Sequence, residues 1–174
     1  MLLVSLAFAG CAAMTVSRSE PRYQFIDTEL YYVSITPIRS RDYHYAFRLI
    51  VKNKTIEEME IDWNKTFYLE GDAPSGGFMF DGIAYSEREN PKERCKVAAN
   101  DIFIKTLWPN VLVSRKKDWF HQPLESGRHG IEITLIVNRK QVCKERLLLN
   151  IIRETDEGLA ESETEEVKTT TTKY

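Results

Sequence analysis

The stretch that most constrains this chain runs from Tyr43 to Leu69. Tyr45, Phe47, Leu49 and Val51 fall on every second position, with His44, Arg48 and Lys52 among the residues between them. After Asn53-Lys54-Thr55 the alternation resumes with Met59, Ile61 and Trp63, while Glu58, Glu60 and Asp62 point the other way. A repeat of two is what a strand with one buried face requires. Two such runs joined by a short polar segment predict a β-hairpin.

Other segments follow the same rule. Tyr31, Val33 and Ile35 alternate until Pro37, and Phe78–Tyr85 is strand-like, with Gly82 a candidate bulge. Short β-rich runs, Asp101–Leu107 and Val111–Val113, are split by Trp108-Pro109-Asn110. Late in the chain Ile131, Ile133, Leu135 and Val137 alternate, Arg139-Lys140 makes a turn, and Leu147, Leu149 and Ile151 alternate again. Gly71–Gly77 and the polar segment 86–96 read as loops. No segment holds helical spacing over a dozen residues. Strands separated by turn signals predict an all-β fold, an antiparallel β-sandwich of seven or eight strands spanning residues 29–153.

The chain of 174 residues fits one domain, and 43% hydrophobic residues suffice for a core. The formal net charge of −2 argues against a nucleic-acid partner. From Arg153 to Tyr174 seven acidic and three basic residues give −4, which leaves the rest at +2. Residues 154–174, acidic and Thr-rich, bury too little to offset ordering entropy and are expected to be a disordered tail.

The first residues, M-L-L-V-S-L-A-F-A-G-C-A-A, form an apolar run too short to span a bilayer as a helix. They read as a secretory signal over residues 1–10. Phe8-Ala9-Gly10-Cys11 resembles a bacterial lipobox, although Phe8 stands where Leu is usual and no cation precedes the run. The resemblance implies that Cys11 is diacylated and becomes the mature N-terminus. Ala12 after it implies sorting to the outer membrane, with the body on the periplasmic face. Residues 11–28 would then be the lipidated Cys and a polar tether.

The body resembles poorly characterised bacterial envelope lipoproteins with an immunoglobulin-like body. The likeness rests on F-x-L-x-V-x-N-x-T from Phe47, I-D-W-N-K-T-x-Y from Ile61, G-I-x-Y from Gly82, E-N-P from Glu89 and D-I-F from Asp101. It covers roughly residues 30–152 and carries no catalytic or ligand residues with it. At the late turn such chains carry Gly where this one has Arg139.

With Cys11 lipidated, Cys95 and Cys143 remain in an oxidising compartment, either as a disulfide or as two free thiols. His44, His121 and His129 show no metal-ligand spacing, and no nucleophile elbow or phosphate loop is present, so no metal, cofactor or enzyme activity is expected. The acidic run Glu58–Asp62 reads as a solvated strand face and Trp63 as an inward core residue. Arg115, Lys116, Lys117, Trp119 and Phe120 read either as a partner or membrane surface, cations on head groups with rings at the interface, or as aromatics plugging the sandwich end. Two functions follow: a lipid-anchored, non-enzymatic interaction module with an envelope protein partner, or a small-ligand or glycan-binding domain. The second would use the Gly71–Gly77 loop and the Trp108–Trp119 aromatics in a concave cleft.

Overall fold

The structure, a computed structural model, describes residues 15–115 and 119–155. The signal segment, Cys11 and the acidic tail from residue 156 lie outside the described residues. Strand content begins at once: β1 (Thr15–Glu20) and β2 (Gln24–Asp27) precede β3 (Tyr31–Ser40) and β4 (Tyr43–Asn53). Then come β5 (Met59–Ile61), β6 (Phe67–Glu70), β7 (Ala73–Pro74), β8 (Phe78–Met79) and β9 (Cys95–Val97). β10 (Ile102–Pro109), β11 (Val113–Arg115), β12 (Trp119–His121), β13 (Gly127–Val137) and β14 (Gln141–Thr155) complete the chain.

All pairings are antiparallel. One sheet runs β1-β14-β13-β5-β9, with β6 also on β13 and β7 on β6. A second runs β2-β3-β4-β10-β8, and β11-β12 stand as a separate pair. Val33, Ile35, Phe47, Leu49 and Val51 of the second sheet share one core with Ile61, Ile131, Ile133, Leu135 and Leu147 of the first, all fully buried. Burial of those alternating faces is the main driving force.

Three expectations are corrected. The described residues form fourteen strands, not seven or eight, because several have only two or three residues, too short for alternation to register. Residues 15–27, assigned to a tether, are two edge strands, β1 on β14 and β2 on β3; edge strands need bury little and so show weak patterning.

The hairpin expected between Tyr43 and Leu69 does not form: β4 lies in the five-strand sheet and β5 in the other. The corner between them is locked by Asn53, which is fully buried. Its Nδ2 donates to the carbonyls of Glu57 (2.7 Å), Val97 (3.1 Å) and Ala98 (3.1 Å). Its Oδ1 accepts from the N–H (2.9 Å) and hydroxyl (2.8 Å) of Thr55. A side chain that satisfies the backbone in this way replaces hairpin pairing with a change of sheet.

Of the two alternatives open for Cys95 and Cys143, the structure has the free thiols, both half-buried. Cys95 lies in β9, not in a loop, and is paired with Ile61; Ile61 pairs with Leu135, and Leu135 with Cys143. Three strand spacings separate the two by about 14 Å, beyond disulfide reach.

Smaller differences have local causes. Trp63 is buried as expected, but in a 3-10 turn (Trp63–Lys65) rather than on a strand. Asp62 is buried, not solvated, because its carboxylate caps that turn by accepting from the N–H of Asn64 (3.2 Å). Gly82 sits in a turn at φ 93°, outside any strand. A bulge at Tyr45, where the register shifts between Ile38 and Arg39, turns His44 inward against the alternation.

Candidate functional cleft

β10 delivers Trp108 to the end of its sheet, opposite Met79 of β8. The β11–β12 hairpin then folds back with Val113 opposite His121. The Trp108 and His121 rings stack at 5.7 Å and 15°, and Tyr45, displaced by its bulge, meets His121 at 5.5 Å. These elements and residues 80–83 enclose a cleft of about 270 Å³, lined by Met79, Phe80, Ile83, Trp108, Val113 and His121, with Asp81 and Gly82 at its edge. A second hollow of about 550 Å³ shares Phe80, Gly82 and Ile83 and adds polar side chains, among them Glu87, Lys92 and Arg94.

Polar groups around the cleft are unevenly satisfied. Among the described residues, Trp108 Nε1, His121 Nδ1 and Asn110 Oδ1 are buried without a hydrogen-bond partner. An unpaired buried polar group costs about 1–3 kcal/mol, and two of the three belong to residues that line the cleft, Trp108 and His121. Burial lowers the pKa of His121, so its ring is neutral at pH 7. Asn110 ties the region together: Nδ2 donates to the Arg88 carbonyl (2.7 Å), and its backbone N–H donates to the Gly77 carbonyl (3.0 Å). The Gly71–Gly77 loop therefore buttresses the cleft from behind and does not line it.

The cationic-aromatic stretch is divided by the hairpin. Arg115 is exposed and Phe120 is 55% exposed, so Phe120 does not plug the sandwich end; His121 faces the cleft instead. Trp119 pairs with Arg115 in the β11–β12 ladder. Lys116 and Lys117 lie outside the described residues, as does Cys11. Phe80 and Ile83 were missed as cleft residues, although the Gly82 beside them signalled irregular backbone.

Two histidine pairs resemble catalytic dyads but are closed to substrate. Ser17 Oγ lies 2.7 Å from His44 Nδ1, with Ser17 fully buried and His44 at 5% exposure. His129 donates from Nε2 to the Glu125 carbonyl (2.8 Å), so its Nδ1 accepts from the Tyr68 hydroxyl (2.7 Å). Tyr68 and His129 are both buried. These pairs tie elements together, β1 to β4 and β6 to β13.

Cys95 and Cys143 belong to the core margin. Trp63 Nε1 donates to Cys95 Sγ at 3.1 Å, and Cys143 packs against the core on β14. No protein-family profile and no curated protein sequence matches the chain.

Proposed function

We propose that this chain is a lipid-anchored, non-enzymatic module of a bacterial envelope, on the periplasmic face of the outer membrane. Its immunoglobulin-like β-sandwich holds an envelope protein partner through the Trp108–His121 cleft. The observation that carries the reading is the cleft itself: an apolar, aromatic-walled hollow edged by buried nitrogens that lack partners. A docking side chain with an apolar body would fill the hollow against the Trp108 and His121 rings. The anchor rests on the lipobox resemblance around Cys11, which opens the mature chain shortly before β1.

A photoreactive residue at Ile83, on the cleft wall, is expected to crosslink a discrete envelope partner in living cells, and one at Val142, exposed on the other sheet, is not. Absence of an adduct from Ile83, or the same adduct from both sites, would reject the cleft as the contact. Labelling with a fatty-acid analogue, wild type against Cys11→Ser, tests the anchor separately.

A second reading, a small-ligand or glycan domain, draws on the stacked Trp108 and His121 rings. The volume of about 270 Å³ sits just below the range typical of small-molecule sites, ~300–1,000 Å³, which the adjoining hollow extends.

A further inference from the structure

Position in the fold says what else lies at the anchored end. Cys11 precedes Thr15 by four residues, a reach of at most about 14 Å even when fully extended. Thr15 pairs with Thr155, and Ser17 two residues later bonds to His44 at the start of β4. The β3–β4 turn, with Arg39, Arg41 and Tyr43, therefore lies at the same end as the start of β1. From Tyr43 a line of rings crosses to the hairpin: Tyr43 to Tyr45 at 6.3 Å, then Tyr45 to His121 at 5.5 Å. Phe120 and Arg115 lie just beyond.

The charges of this end do not cancel. Arg18 is paired with Glu20 and Glu154, and Arg153 with Glu125, so the acids there are engaged. Arg39, Arg41 and Arg115 are exposed and form no ion pair among the described residues, and Asp42 follows Arg41 in the turn. Arg39 additionally donates to the Ser17 carbonyl (3.2 Å), which fixes it to β1. Exposed Phe120 adds an apolar group to a cationic surface.

From this juxtaposition we infer that the β3–β4 turn together with Arg115 and Phe120 forms a membrane-docking face for anionic phospholipid, holding this end of the body against the leaflet. The inference rests on the lipid-anchor reading for its orientation. Guanidinium groups suit phosphate, each cation near an anionic surface strengthens binding about fivefold, and an exposed ring enters the head-group boundary. The Trp108–His121 cleft would then open close to head-group level, within reach of membrane-borne partners.

The test uses the full chain carrying Cys11→Ser, so that no lipid masks the contribution of the surface. Its partition onto phosphatidylcholine vesicles is compared with that onto vesicles of seven parts phosphatidylcholine to three of phosphatidylglycerol. Binding is expected to be stronger on the anionic vesicles and to fade with salt. Adding Arg41→Glu and Arg115→Glu should weaken it about 25-fold or more. Adding Lys140→Glu and Lys144→Glu, the same charge change on exposed residues at the β13–β14 turn end of the other sheet, should leave most of it. Equal partition onto both vesicle types, or equal loss from both variants, would overturn the docking face. Failure of wild-type fatty-acid labelling would instead remove the anchor, and the vesicle result would stand independently of it.

Discussion

Cys95 and Cys143 occupy one cross-strand row of the seven-strand sheet, kept apart by the two strands that carry Ile61 and Leu135. Ile61 and Leu135 are fully buried and both thiols pack at the core margin, so all four face inward. Two half-buried cysteines would look like a bridge in any count of residues, yet the sheet itself is the spacer. Alkylation of the denatured, unreduced protein is expected to label both, and peptide mapping to find no Cys95–Cys143 crosslink. A linked peptide would mean that β5 or β9 is misplaced.

Asn53 holds the corner where the chain changes sheet. Its replacement by Ala leaves the carbonyls of Val97 and Ala98 and the N–H of Thr55 to find other partners in a buried place. Asn53→Ala is expected to cost roughly 3 kcal/mol in urea unfolding at an unchanged m-value. A change below 0.5 kcal/mol, on the order of an exposed-site substitution, would show that the corner does not depend on it.

This corner also shows how much of the fold was legible beforehand. Alternation located β3, β4, β10, β13 and β14, because each turns one row of side chains into a shared core. It could not say which strand pairs with which, since Met59 and Ile61 alternate identically whether β5 meets β4 or β13. The choice lies in one polar side chain and in long-range register. β1 and β2 escaped because edge strands bury little, and His44 because a bulged Tyr45 reverses the parity. For the cleft, the Trp108–Trp119 region was marked as aromatic, but Phe80 and Ile83 reach it only through turns that carry no period.

The β13–β14 turn makes a local prediction. Asn138 and Arg139 have φ of 50° and 59°, and the Lys140 N–H returns to the Val137 carbonyl, which is a type I′ turn. Its centre is thus Asn138-Arg139, one residue before the expected Arg139-Lys140. Arg is poorly suited to a left-handed position that Gly occupies without strain. Arg139→Gly is expected to stabilise the protein by about 0.5–1 kcal/mol, after the added chain entropy of Gly is deducted. Destabilisation would show that the Arg139 side chain makes a contact of its own.

Acid should weaken the fold through its histidines. Burial lowers the pKa of His44, aided by Arg39, and likewise of His129 and His121. The unfolded chain therefore binds protons near pH 6.5 that the folded chain refuses, and stability must fall as pH drops below that value. Urea unfolding is expected to give a plateau above pH 7 and a decline through pH 6 to 5. Stability rising over that interval would contradict neutral, buried imidazoles.

The most direct test of the cleft compares two indole N–H groups in one spectrum. Trp63 Nε1 is bonded to Cys95 in the core, whereas Trp108 Nε1 has no partner beside the cleft. Their ¹H–¹⁵N resonances can be assigned with Trp63→Phe and Trp108→Phe and followed as solubilised envelope extract is added to the labelled full chain. A bound partner is expected to shift or broaden the Trp108 signal and leave that of Trp63 in place. A Trp108 signal that stays fixed, while signals elsewhere report binding, would contradict the cleft as the site of interaction.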